Sequence, residues 1–129
     1  MPYQIPEQQM VLEFHEKFNC PVGKGPTIIE QPVIESRLRL IREELMELDL
    51  ALTQKDLVET ADALADLLYV VYGTAVACGI DMGPIFAEVH RANMTRVGGT
   101  MNEYGKLVKP STYDPPKLLE LVRDQLGWQ

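Results

Sequence analysis

An all-α fold, a bundle of about five helices whose core is completed by oligomerisation, is what this sequence predicts, and three observations predict it. Apolar residues recur at steps of three and four almost throughout, no run of strict alternation is present, and glycine and proline divide the chain into helix-length segments. With 129 residues, 46% of them hydrophobic, the chain has material for one compact core and too little length for two ordinary domains. A single domain over 1–129 is therefore expected.

The elements follow in order. Pro6 suits the first turn of a helix running to about Asn19, with Met10, Phe14 and Phe18 at four-residue steps along one side. Pro21-Val-Gly-Lys-Gly-Pro26 then breaks it. A second helix starts near Gln31 or Pro32 and carries Ile34, Leu38, Ile41, Leu45, Leu48 and Leu52, the pattern of a bundle seam. The short link Thr53 to Lys55 predicts an antiparallel partner, from about Asp56 to Cys78, which Gly79 ends. That third helix has its main seam at Leu57, Ala61, Leu64, Leu68, Val71 and Ala75, and other apolar residues cover most of its circumference, so burial on several sides is expected. A fourth helix spans about Pro84 to Arg96, a glycine-rich polar segment covers Val97 to Tyr113, and Asp114-Pro-Pro opens a last helix to Leu126. The surplus of apolar surface on the third helix predicts a homodimer or homotetramer.

Charge and composition exclude several function classes. A formal net charge of -7 argues against a nucleic-acid backbone or an anionic membrane as partner, and a polyphosphate ligand needs metal help. Cys20 and Cys78 are too few for a disulfide framework, which fits a reducing cytoplasm. The first fifteen residues hold Glu7 and Glu13 and no basic residue, unlike a targeting peptide, and the apolar stretch Leu67 to Ile80 is too short for a bilayer.

The chemistry concentrates in two acidic bursts: Glu43, Glu44 and Glu47 on the second helix, then Glu59, Asp62 and Asp66 on the third. Carboxylates facing one another repel unless a cation sits among them. At about 100° per residue, Glu59, Asp62 and Asp66 share the side of their helix opposite the main seam. The same arithmetic puts Glu44 at the flank of the second helix's seam, Glu47 farther round and Glu43 most outward, which favours Glu44 and Glu47 as ligands. A short antiparallel connection brings both bursts together, and Mg²⁺ prefers such oxygen ligands. Two plainer readings stand beside this one: a solvated acidic face, and neutralisation by Arg37, Arg39 and Arg42.

The run Arg42-Glu-Glu-Leu-Met-Glu-Leu, followed by Glu59-Thr-Ala-Asp-Ala-Leu-Ala-Asp-Leu-Leu-Tyr, resembles the all-α nucleoside triphosphate pyrophosphohydrolases. Within that superfamily, His90-Arg-Ala-Asn-Met-Thr-Arg and Gly105-Lys-Leu-Val-Lys-Pro are similar to the MazG-like and phosphoribosyl-ATP pyrophosphohydrolase-like branch. The resemblance implies Glu44, Glu47, Glu59 and Asp62 as metal ligands, with Asp66 as a further ligand or an outer partner. It implies Mg²⁺, with Mn²⁺ as the alternative, and hydrolysis of a (deoxy)nucleoside triphosphate between its α and β phosphates to a monophosphate and pyrophosphate. Glu43 or Glu44 is then the carboxylate that orients or deprotonates the attacking water. Phosphoribosyl-ATP is the rival substrate, housecleaning of the nucleotide pool is the preferred role, and a non-catalytic helical oligomer that binds nucleotide or a regulatory ion is the alternative from another class.

A second constellation is basic: Arg91, Asn93, Arg96, Lys106 and Lys109, set among Gly98, Gly99 and Gly105. Such residues can bind phosphates and a base edge or sugar hydroxyl, or form no more than a mobile solvated loop. The resemblance favours Asn93 and Lys106 as substrate contacts, with Arg96 and Lys109 as further candidates, and Lys24 as a weaker one. His15 and His90 read as packing or surface residues, since neither sits in a Glu-x-x-His pair and a di-iron bundle is unsupported. Tyr69, Tyr72 and Trp128 read as core or interface.

Overall fold

Residues 3–127 are described by the computed structural model, so the reading of Trp128 falls outside the described residues. Among them the secondary structure is helical: α1 (Pro6–Lys17), α2 (Gln31–Thr53), α3 (Leu57–Ala77), α4 (Met82–Asn93) and α5 (Leu119–Gln125). The all-α expectation holds, and the β-structure present among the described residues is an isolated antiparallel bridge between Met101 and Leu107. Contacts gather into two compact units, Met1–Met82 and Gly83–Gln129.

In the first unit, Pro6 occupies the first turn of α1, and Asn19 at φ 57° turns the chain out of it. The face that α1 buries differs from the aromatic row in its sequence. Gln8, Val11 and His15 are buried, whereas Met10, Phe14 and Phe18 stay exposed. Polar Gln8 is tolerated because both ends of its amide are used: Nε2 donates to the Ile80 carbonyl at 2.7 Å, and Oε1 accepts the Met82 N–H at 3.0 Å. The loop after α1 lies against the end of α3, where the N–H groups of Gly23 and Thr27 donate to the carbonyls of Val76 and Cys78. A Cβ on Gly23 would stand 2.5 Å from the Gly79 nitrogen, so these backbones meet where no side chain fits.

α2 and α3 form the antiparallel pair that the short link predicts. Asp56 caps α3 by accepting the Glu59 N–H at 3.0 Å, and Lys55 takes the left-handed φ of 57° in the turn. The register runs from Arg37 opposite Val70 and Thr74, through Glu44 and Glu47 opposite Asp66, to Ala51 and Ala63 lining one cavity. Arg37 is the deep anchor, only 8% exposed: Nη2 donates to the Val70 carbonyl at 2.8 Å and Nε to Thr74 Oγ1 at 3.2 Å. Gly73 makes that possible, since a Cβ there would collide with Arg37 Nη2 and approach His15 Nε2 to 2.9 Å. His15 is itself tied to the Pro21 carbonyl through Nδ1 at 2.7 Å, and burial, then the Arg37 charge, pushes its pKa down.

The third helix reverses one expectation. Its sequence seam is mostly on the outside, with Leu57 82% and Leu68 57% exposed and Leu64 and Val71 also open, while Ala75 is buried. The side carrying the acids is the packed side, because Ala63, Gly73 and Ala77 are small enough to let α1 and α2 approach and to admit Arg37. Burial on several sides is thus not achieved within one chain, and Leu38, Leu45 and Leu52 of the α2 seam are exposed as well. α3 also has the length and mean hydropathy, 1.2, that a membrane span needs, though its acids and its packing on α1 and α2 suit a bundle helix.

In the second unit, α4 ends at Asn93, three residues before the predicted Arg96, because Thr95 turns its hydroxyl and N–H back to the Ala92 carbonyl. The glycine-rich segment is an ordered turn: Val108 N–H donates to the Thr100 carbonyl, Asn102 N–H to that of Lys106, and Asn102 Oδ1 accepts from the N–H groups of Tyr104 and Lys106. The last helix begins at Leu119 instead of Asp114. Asp114 spends its N–H on Thr95 Oγ1 at 2.7 Å and its carboxylate on Arg91 at 3.1 Å, and two prolines follow. The same Arg91, with the Lys117 N–H, holds the Glu88 carboxyl down to about 2.

Gly73→Ala tests the α2–α3 contact. The added methyl has to displace a hydrogen-bonded arginine, so a loss of about 1–3 kcal/mol is expected. Denaturant unfolding measures it, and an unchanged midpoint would show that the two helices do not meet this closely.

Candidate metal centre

Three of the predicted acids converge. Glu44 and Glu47, one turn apart on α2, and Asp66 on α3 each offer a carboxylate oxygen, and these oxygens lie within 4.8 Å of one another. Glu44 and Asp66 are half-buried and Glu47 is exposed. Glu44 Oε2 is shut off from solvent with no hydrogen-bond partner. An acceptor in that state is costly unless something positive reaches it.

The electrostatics agree with the geometry. Burial first, then Glu47, then Asp66 and Glu43, push the Glu44 carboxyl above its ordinary range. Burial, Asp62 and Glu47 do the same to Asp66. The arginines do not relieve this strain: Arg37 donates to Val70 and Thr74, and neither Arg39 nor Arg42 forms an ion pair among the described residues. Neutralisation by neighbouring arginines is therefore not what the fold does with these acids.

Glu59 and Asp62 stand apart from the three. With Glu47, Leu50, Ala51, Gln54 and Ala63 they line an adjoining cavity of about 320 Å³. Glu47 thus borders both places, and Asp66, kept at sequence level as ligand or outer partner, is the α3 acid inside the cluster. Glu43 faces an outer groove of α2 with Arg39, Arg42 and Met46.

The basic candidates belong to the second unit. Asn93 and Lys106 are exposed, and Lys106 rides on the Asn102 turn. Arg96 donates through Nη1 to the Leu107 carbonyl at 3.0 Å and lies 4.9 Å from the Tyr113 ring, which Lys109 approaches from 5.2 Å. Tyr113 escaped the sequence reading because a single aromatic in a loop belongs to no periodic pattern. Lys24 is exposed in the first loop, His90 is exposed on α4, and His15 serves packing.

An all-carboxylate donor set with one unsatisfied buried oxygen fits a hard divalent cation. It does not suit a soft metal, which asks for sulfur or imidazole.

Comparison with known proteins agrees with this geometry. The profile of the phosphoribosyl-ATP pyrophosphohydrolase family matches residues 11–93, which takes in α2, α3 and all six acids of the two bursts. An uncharacterised protein of Acanthamoeba polyphaga mimivirus is 31% identical over 123 residues, covering 90% of this chain and 49% of its own length. The chain therefore spans about half the length of that curated relative. With the matched segment centred on the acidic helix pair, the chain belongs to the phosphoribosyl-ATP pyrophosphohydrolase family, within the MazG-like all-α nucleoside triphosphate pyrophosphohydrolase superfamily.

Proposed function

We propose that this protein is a Mg²⁺-dependent pyrophosphohydrolase, with Mn²⁺ as a substitute, that splits a (deoxy)nucleoside triphosphate between its α and β phosphates and serves nucleotide-pool housecleaning in the cytoplasm. The observation that carries the reading is the convergence of Glu44, Glu47 and Asp66, with one Glu44 oxygen buried and unpartnered, inside a segment that matches a pyrophosphohydrolase family. Glu44, Glu47 and Asp66 hold the ion, while Glu59 and Asp62, reaching the cavity that Glu47 also borders, complete the ligand set or hold its waters. When bound, the metal neutralises phosphate charge and stabilises the pyrophosphate that departs. The attacking water is oriented or deprotonated by Glu43 or Glu44, whichever the ion leaves less engaged; Glu43 lies on the outer groove and Glu44 in the cluster. Asn93 and Lys106 are assigned to substrate contact as exposed polar groups on the second unit.

Phosphoribosyl-ATP is the second reading, favoured by the description of the matching family. A panel of triphosphates and phosphoribosyl-ATP with Mg²⁺, resolved into monophosphate plus pyrophosphate against diphosphate plus phosphate, decides between the substrates. Glu47→Ala and Asp66→Asn are expected to lower turnover by about 100-fold or more with the helical spectrum intact. Full activity in both variants, or diphosphate as sole product, overturns the assignment; an inactive wild type that still binds Mg²⁺ leaves the non-catalytic alternative.

Protons compete with the metal. The Glu44 and Asp66 carboxyls are raised in the folded protein, so without metal the fold loses stability as pH rises from the ordinary carboxylate values of 4.5 and 3.8 through the raised ones. Mg²⁺ binding should therefore release protons and weaken as pH falls toward those values, and it should raise the melting temperature more at pH 8 than at pH 5. Calorimetric titration in buffers of different ionisation enthalpy measures the release; a pH-independent affinity counts against these ligands.

A homodimer or homotetramer completes the proposal, supported by the leucine row of α3 and the Phe14, Phe18 and Tyr69 aromatics left open on this chain. Sedimentation at micromolar concentration should give a multiple of 14.6 kDa, and a monomer at all concentrations defeats it.

A further inference from the structure

Two basic groups are buried side by side where α1, the loop after it, α2 and α3 meet. His15 is 3% exposed and Arg37 8%. Both reach the position that a Cβ on Gly73 would take, His15 Nε2 to 2.9 Å of it and Arg37 Nη2 closer still, so the ring and the guanidinium share one space over the bare backbone of α3. No carboxylate comes within 4.0 Å of either group among the described residues. The other titratable groups near Arg37 are the thiols of Cys20 in the loop and Cys78 at the end of α3, and burial pushes the Cys78 thiol up, which keeps it neutral.

The bond to Pro21 decides what His15 turns toward the arginine. A carbonyl only accepts, so Nδ1 carries the hydrogen in the 2.7 Å bond to the Pro21 oxygen, and the neutral ring then presents the Nε2 lone pair to the space that Arg37 enters. That tautomer suits a guanidinium. Protonation would leave the Pro21 bond intact and set an N–H and a second positive charge beside Arg37, in a space largely closed to water and without an anion. Relief comes from α1 drawing away, or from Arg37 giving up the Val70 carbonyl at 2.8 Å and Thr74 Oγ1 at 3.2 Å. Val70 lies one turn beyond Asp66 on α3 and Arg37 two turns before Glu44 on α2, so those bonds hold the register that sets the acids opposite one another.

We propose that His15 and Arg37 form a proton-sensitive latch, closed while the imidazole is neutral and loosened when it takes up a proton, which ties the seating of α1 and the α2–α3 register to pH. Its effect on the metal centre rests on the proposed function; the latch itself does not. Burial lowers the His15 pKa, the Pro21 bond opposes this, and the Arg37 charge adds to it. The metal-free fold therefore loses stability as pH falls from the ordinary 6.5 through the lowered value, the reverse of the sign for Glu44 and Asp66.

Melting of the full chain in EDTA at pH 8 and pH 5 tests it, on wild type and on His15→Asn, whose amide N–H stands in for Nδ1–H toward Pro21 but takes up no proton. The carboxylates are common to both proteins, so the difference between them isolates His15. Wild type is expected to lose about 3 °C or more beyond the loss in His15→Asn on acidification. Proton NMR of the His15 ring should give a midpoint below 6.5, and Arg37→Gln, which removes the charge and keeps a donor for Val70, should move it up. Mg²⁺ affinity, by calorimetry, should fall about fivefold more between pH 8 and pH 5 in wild type than in His15→Asn.

Equal melting losses in the two proteins, or a His15 midpoint at or above 6.5 in folded wild type, overturn the latch. If His15→Asn does not fold, the wild-type midpoint and its movement in Arg37→Gln decide, and an unmoved midpoint overturns the pairing. Different melting losses with equal losses of Mg²⁺ affinity overturn the link to the metal centre. A chain that hydrolyses no nucleotide but shows the melting difference retires the catalytic reading and leaves the latch, whereas hydrolysis without that difference does the reverse.

Discussion

The close approach of α2 and α3 is the constraint from which the rest of the first unit follows. Gly73 and Ala63 keep the packed face of α3 small, and at Gly73 the missing side chain leaves the room that Arg37 and His15 occupy. Arg37 then reaches across to the Val70 carbonyl and Thr74, fixing register two turns before Glu44. With the register set, Glu44 and Glu47 have Asp66 opposite them and nothing cationic between. The acid cluster is therefore a consequence of the α2–α3 register, and repulsion inside it is held in check by packing formed elsewhere along the same pair.

Much of this was legible in the sequence. Proline at the head of α1, Asp56 before α3 and Gly79 after it are local signals whose physics does not depend on the rest of the molecule, so the corresponding boundaries fall within a residue or two. The two acidic bursts were legible too, since an antiparallel hairpin with a short link leaves few registers. Boundaries failed where hydrogen bonds of a polar side chain, local at Thr95 and distant at Asp114, took the place of helix. The fourth helix stops early because of Thr95, and the fifth starts late because Asp114, which looks like a helix cap, is bonded to Thr95 and Arg91.

The choice of packed face was the harder failure. A hydrophobic pattern measures contrast around a helix, and on α1 and α3 it selects the large side chains Phe14, Leu64 and Leu68. Within the chain, however, the faces used are those of Gln8, Val11 and His15 on α1 and of small residues on α3. Small residues score weakly for hydrophobicity yet permit the shortest distances, and a buried glutamine or arginine is acceptable once its hydrogen bonds are complete. The large apolar rows are then left exposed on the single chain.

Placement of charge shows the same separation between what holds the fold and what the fold presents. Glu88, Arg91, Asp114 and Lys117 are matched to one another, and that network ties α4 to the segment before α5. Glu44, Glu47 and Asp66 are unmatched, as are Arg96 and Lys109. A chain able to satisfy one set of charges so fully gains no stability from leaving others against their own kind. Local frustration of this sort costs stability in the free protein and is recovered when a ligand of opposite sign arrives, which is the usual mark of a binding site and not of a scaffold.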